Sequence, residues 1–420
     1  MMPPFSVLQS SLLAVLAFSA AALSAAEVPE PVTIRVHAGS HDRLATAVRV
    51  RIGDSRTSWQ LTGPDGQILP HQLNLGSDLV FRTGRIAAGA TADYRFGPAS
   101  RPADTSPGGI LTHYDEEGLR FAGAGESLAF YRIVPIELEG TGIDPLYRRA
   151  GYLHPLRTLN GVTVTDDFPP DHLHHHGIWS AWTRTGFQGR NPDFWNMGKG
   201  SGGVAFKSLE EAWEGPVEAG FIASHEFFER RDDGLDQPVL IERWTTHIHA
   251  PHPEDAGAWF FDLELEQTTA GPDPLELLEY HYGGVAVRGN GAWNGAENAH
   301  FLNADGESDR IAANASRNRW CAMSGPVDGA IAGIAFLDHP ENLRSPQPLR
   351  VHPTEPYFCY SPSQLGPFTI DPNTPYRARY RIVVFDGEAD PGQLDRLWND
   401  FAHPPEVETI DSDEPKAVSR

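Results

Sequence analysis

Between Pro169 and Trp182 the chain reads PPDHLHHHGIWSAW. This sets His172, His174, His175 and His176 within five positions, beside Asp171 and ahead of Trp179 and Trp182. Imidazole is the side chain that exchanges a proton near neutral pH, and it is the commonest metal ligand. Tryptophan adds a flat apolar face with a single donor. Such groups side by side suit a ligand that is a polar ring with apolar faces. Other segments carry reactive types as well. GYLHPLRTLNG places His154 and Arg157 ahead of a turn signal at Asn160-Gly161. GRNPDFWN adds Asp193, Phe194 and Trp195. EYHYGGVAVR sets Tyr280, His281, Tyr282 and Arg288 around a glycine pair, and LDHPENLR brings Asp338, His339 and Arg344, with His352 close behind.

General acid–base work needs a donor and an acceptor on either side of a bound ring. His174 or His175 with His281, Tyr282 or Asp338 would supply them. Arg157, Arg288 or Arg344 would hold a carboxylate through two parallel bonds. Trp179, Trp182 and Trp195 would stack on the ring. A metal is the competing use of the same histidines. If residues 172–176 were extended, His172, His174 and His176 would share one face and could bind a divalent ion, with His175 on the other. The row Asp262, Glu264, Glu266 reads either as a catalytic carboxylate set or as a solvated strand face. It also has a natural cross-strand partner in the row Arg377, Arg379, Arg381.

These side chains must be positioned by strands. Val32, Ile34 and Val36 alternate with Thr33, Arg35 and His37, and Phe261, Leu263 and Leu265 alternate with the acidic row. Tyr376, Ala378, Tyr380 and Ile382 alternate with the arginine row. Period two means a strand with one face buried and one wet. With 41 Gly and 35 Pro punctuating such runs, the pattern predicts an all-β protein with a large antiparallel β-sandwich. The clear helix is late: PGQLDRLWNDF (391–401) puts Leu394, Leu397, Trp398 and Phe401 on one face. Residues 28–97 read as a small β-domain with a turn at Gly63-Pro64-Asp65-Gly66, 98–109 as a linker, 110–402 as the main sandwich and 403–420 as a disordered acidic tail.

The first 26 residues differ. Ser11 to Ala25 is small and apolar, and Ser24-Ala25-Ala26 fits a signal-peptidase site, although residues 1–10 hold no Lys or Arg. Export to the periplasm or beyond is the expectation, with no membrane span in the mature chain. In an oxidising compartment Cys321 and Cys359 would either bridge or stay as two buried thiols. A net charge of −23 argues against nucleic acid as a partner.

YLHPLRT, PPDHLHHHGIW, DFW, YHYGG and LDHPENLR occur here in this order. In this the chain resembles a group of exported bacterial proteins often labelled methane oxygenase PmoA family, over roughly residues 110–400. Where many of those proteins have Arg after the His pair, this chain has His176. The resemblance implies a β-sandwich from sugar-degrading bacteria and brings no settled activity. The residues therefore lead to an exported enzyme that acts on a saccharide by acid–base chemistry, as a hydrolase or a lyase. A non-catalytic carbohydrate-binding protein and a metal-dependent enzyme are the alternatives. The density of ionisable groups favours an enzyme.

Overall fold

Alternation decides where the strands go. In the computed structural model, Phe261, Leu263 and Leu265 of the strand Ala258–Thr269 turn into the main core, while Ala258 and Phe260 turn the other way. The structure describes residues 30–52, 59–74, 78–99 and 108–410. The segment read as a signal peptide, and most of the linker, fall outside these.

The chain is all-β and antiparallel. One eight-stranded sheet is built from long strands, in the order 202–213, 218–230, 236–249, 258–269, 376–386, 330–338, 320–327 and 300–303. A second, of shorter strands, runs 349–351, 357–360, 284–288, 178–181, 152–156, 126–132, 118–123 and 110–114. The two pack face to face over one core: Phe121 and Tyr131 of the short-strand sheet stack on Phe221 of the long-strand sheet, Tyr131 with ring centroids 4.2 Å away. A polar chain runs through this core. The Tyr131 hydroxyl meets His225 Nε2 (2.6 Å), His225 Nδ1 meets Glu242 (3.0 Å), and Gln267 donates to Glu242 (2.7 Å) while accepting from Trp182 Nε1. Each group finds a partner, as burial demands.

The outer face of the long-strand sheet is apolar at one end and charged at the other. The helix Pro391–Ala402 covers the apolar end with Leu394 and Leu397 against Phe260, Leu337 and Phe385, and Asp390 caps its first turn. At the charged end the acidic row faces the arginine row in register: Asp262 opposite Arg381, Glu264 opposite Arg379, Glu266 opposite Arg377. The Arg381–Asp262 bond is 2.7 Å and the Arg377–Glu266 ion pair 2.5 Å. The carboxylate row is thus a cross-strand ladder.

Two small sheets enclose a separate cluster of Ile34, Val36, Leu61, Leu79, Phe81, Tyr94 and Phe96. Gly63 to Gly66 makes the expected turn between the strands Trp59–Thr62 and Ile68–Leu69. One expectation is corrected here. Glu406–Ile410, assigned to the disordered tail, is a strand paired with Val32–His37, Val36 lying opposite Val407. Its hydrophobic content is low, and only the unpaired edge of that first strand makes a strand of it. Both cysteines are buried free thiols, on strands of different sheets.

Candidate functional site

Strand register sets the floor of the site. Trp179 lies opposite Ala286, Ala286 opposite Cys359, and Cys359 opposite Arg350, while Arg288 lies opposite Tyr357. These residues therefore share one face of the short-strand sheet. The other face carries Phe358, whose ring meets Phe301 and Phe336 of the opposing sheet. Trp179, Arg288, Arg350 and Tyr357 thus belong to the face turned away from the sandwich core.

The histidine segment folds over that face in two successive turns. His172 N–H donates to Pro169 O (2.9 Å) and His175 N–H to His172 O (2.8 Å). Pro170 sits at the second position of the first turn, where its fixed φ is favourable. Turns of this kind bring residues i and i+3 together, so His172 and His175 stack with centroids 4.6 Å apart and planes 14° apart. His174 packs edge-on to His175 at 4.7 Å, and His352 edge-on to His172 at 5.7 Å. The segment is not extended, which corrects the metal set read from the sequence. His176 turns inward, is fully buried, and bonds Asp167 through Nδ1 (2.6 Å), with the Tyr152 hydroxyl on the other carboxylate oxygen.

A cleft of about 350 Å³ opens where these elements meet. It is lined by His172, His174, His175, Trp195, Asn196, Tyr280, His281, Tyr282, Arg350, His352 and Tyr357. Three of the sequence segments converge on it. Asp193 accepts from the backbone N–H of Trp195 and Asn196 and from the Asn196 amide. Asn196 Oδ1 then accepts from the Tyr282 hydroxyl (3.1 Å), which fixes the phenol. After Tyr282 the chain must turn at once into the strand Gly284–Arg288. Gly284 does so at φ 92, where a Cβ would lie 2.9 Å from Tyr360 O.

Four of the cleft imidazoles, His174, His175, His281 and His352, are held toward the neutral form for identifiable reasons. Burial, then the neighbouring His172 and His176, lower His174 to about 4. Burial and Arg350 lower His352 to about 4 and also depress His281. Burial holds His175 well below the usual range. Burial pushes Tyr282 up to about 12, so its phenol stays protonated. Tautomers differ in a useful way. His172 Nδ1 bonds the Asp171 carboxylate (2.8 Å), so the proton sits on Nδ1 and Nε2 offers a lone pair. His352 Nδ1 accepts the Glu355 backbone N–H (3.0 Å), so its Nε2 carries the proton.

The other sequence candidates lie elsewhere. Asp338 is buried and bonds Asn342, Ser345 and the Gln347 N–H; burial raises it to about 6. It closes a turn and lines no part of the cleft. Arg344 clips a loop through the carbonyls of Pro362, Gly366 and Pro367. Arg157 sits among Arg120 and Glu126. Arg288 is fully buried and holds Asp171, Asn294 and Glu355. Trp179 supports His175 from below at 5.0 Å, and Trp182 is buried against Phe368 and Tyr376. Of the three tryptophans only Trp195 lines the cleft. Sequence reasoning missed Arg350, Asn196 and Tyr357. Asn196 ends a quoted motif and could have been found there; Arg350 sits in an ordinary strand pattern with no local signal.

Asp171, His172 and Glu355 bring ligand atoms within 4.8 Å of one another, a separation a metal ion would accept. The Arg288 guanidinium, however, already lies 3.2 Å from Glu355 and 3.3 Å from Asp171. A divalent ion there would face that fixed positive charge, so the trio fits a guanidinium better than a metal.

Fold and cleft together define an all-β sandwich protein with an imidazole-and-phenol cleft on the outward face of one sheet. Residues 119–399 match a family of unknown function, DUF6807, and the chain belongs to that family. The match lends no support to the methane oxygenase PmoA label. Among the described residues no helix is long and apolar enough to cross a membrane. No curated protein matches the sequence. Among solved structures, an alpha-mannosidase from Enterococcus faecalis V583 is similar over 92% of this chain and 47% of its own, at 10% identity and TM-score 0.45. A glycosyl hydrolase family 38 protein from Enterococcus faecalis is similar over 92% and 48%, at 10% identity and TM-score 0.39. The chain thus spans about half the length of these solved chains.

Proposed function

We propose that the protein is an exported enzyme that processes a saccharide by acid–base chemistry in this cleft. The observation that supports it is the meeting of uncharged imidazoles and a protonated phenol in one open, aromatic-walled cleft. Neutral imidazole accepts a proton and phenol donates one, which is the pair that general acid–base catalysis requires. His172 is the best-placed base, because Asp171 orients it and its Nε2 is uncommitted. Tyr280, partly exposed at the cleft, supplies a flat face for a sugar ring, and Trp195 and Tyr357 back the wall from below.

The test is incubation of the purified protein with a broad panel of oligosaccharides, read by mass spectrometry. Products are expected from at least one class, lost in His172→Ala. No product from any member would overturn the reading. Turnover is expected to survive chelation; loss on chelation, reversed by a defined divalent ion, would move the chemistry to a metal. Cell fractionation tests export, and a precursor retained in the cytoplasm would sink it.

A further inference from the structure

The lining of the cleft holds five histidines, several phenols and one guanidinium, but no Asp or Glu. Hydrolysis of a glycosidic bond ordinarily uses two carboxyl groups, one on each side of the bond. The carboxyl groups beside this cleft, Asp171 and Glu355, are held by Arg288. Arg350 presents the opposite case. Its side chain makes a single hydrogen bond, from Nη1 to Asn314 (3.2 Å), its Nε has no partner, and no carboxylate pairs with it among the described residues. Arg288, by contrast, is fully buried and already paired with Asp171 and Glu355 through Nη2, and Arg344 is tied to three backbone carbonyls. In a chain of net charge −23, an arginine left without a carboxylate in a cleft is a place for an anion from outside.

We propose that the cleft takes a uronate residue of an oligosaccharide, its carboxylate held by Arg350, and cleaves the chain by β-elimination. This rests on the saccharide reading above and narrows it. The chemistry follows from the groups present. A guanidinium on the carboxylate makes the neighbouring C5–H acidic by stabilising the charge that develops when it leaves. His172 Nε2 takes that proton, and the C5–H electron pair becomes the C4=C5 double bond. The C4–O4 bond breaks, and the departing oxygen takes the proton of the Tyr282 hydroxyl. The imidazolium and the phenolate then exchange a proton through solvent, which restores both. No water is consumed, no oxidant or reductant is needed, and the new double bond is conjugated with the carboxylate.

The experiment compares oligouronates with neutral oligosaccharides of equal length, using the full chain. Ultraviolet absorbance follows the conjugated double bond, and mass spectrometry follows water uptake. Expected are unsaturated products from oligouronates, with product masses summing to the substrate mass, and no reaction with neutral chains. Arg350→Met should raise KM for the uronate at least tenfold. Tyr282→Phe should lower kcat by about 10²-fold or more while uronate binding, read by calorimetry, persists. Circular dichroism and thermal melts check that both variants fold; Arg350→Lys, which keeps the charge, should recover part of the affinity. Turnover of neutral sugars with gain of water would overturn elimination and leave the saccharide reading standing. Uronate binding without turnover would also overturn it. No binding and no turnover of any saccharide would remove both.

Discussion

His175 and His176 are neighbours in the chain and serve opposite ends. His175 stacks on His172, packs against Tyr357 and Trp179 and lines the cleft, whereas His176 is sealed below with Asp167 and Tyr152. Replacing His176 by Ala strips a buried carboxylate of its main partner and should cost about 3 kcal/mol. His172→Ala removes a half-exposed bond to Asp171 and should cost no more than about 1 kcal/mol. Thermal melts of the two variants distinguish these; equal losses would contradict the division of roles. His175→Ala is a poor probe of catalysis, because it removes a ring packed against His172, Tyr357 and Trp179. The candidate residues of the cleft were legible by type: four histidines within five positions and a Tyr-His-Tyr run stand out in any sequence. Their roles were not legible, because tautomer and direction depend on turns that period-two reasoning does not see. Asp338, chosen for its company in a motif, turned out to cap a turn.

Strands were the legible elements. The alternations at 32–37, 258–269 and 376–386 and the late helix all appear where the pattern puts them. The strand Gly284–Arg288 was harder, since all five of its residues are buried. One face meets the sandwich core and the other lies under the loops around the cleft, so no alternation marks it. The acidic and arginine rows show how position along a strand changes the worth of one interaction. Arg377 and Glu266 are both well exposed, and Arg377→Ala should change stability by less than about 1 kcal/mol. Arg381 is nearly buried, bonds Asp262 through both Nε and Nη2, and reaches the Leu397 carbonyl of the covering helix. Arg381→Ala strands Asp262 with only His249 and should cost about 3–5 kcal/mol. Denaturant titration of both variants reads the contrast, and similar losses would show that the ladder acts as a unit.

At the scale of the whole molecule, one of the small sheets is fastened to the long-strand sheet by Glu218. Its carboxylate receives Arg49 (2.7 Å) and Asn74 (2.8 Å) from the three-stranded small sheet and meets His247 of its own sheet. Burial alone would raise its pKa, but the His247 bond and the charges of His247, His249 and Arg49 outweigh that and bring it to about 2. A folded pKa below the unfolded one means stability that is present above the usual Glu range and lost as pH falls toward 2. The shift amounts to about 3 kcal/mol. Glu218→Gln should therefore be destabilised by about that much at neutral pH and should converge on the wild type in acid. Melting curves across that range check it, and a gap that does not close would refute the clasp.

The pairing of Val32–His37 with Glu406–Ile410 also sets an order of events. Val32–His37 leaves the ribosome more than 350 residues ahead of Glu406–Ile410, the strand that completes its sheet, with Thr33 opposite Ile410. Contacts so distant along the chain form late and slowly. Until Glu406–Ile410 is made, Val32–His37 keeps an open edge, and under the export proposed above that open edge would keep the chain from closing before it is threaded through a translocon.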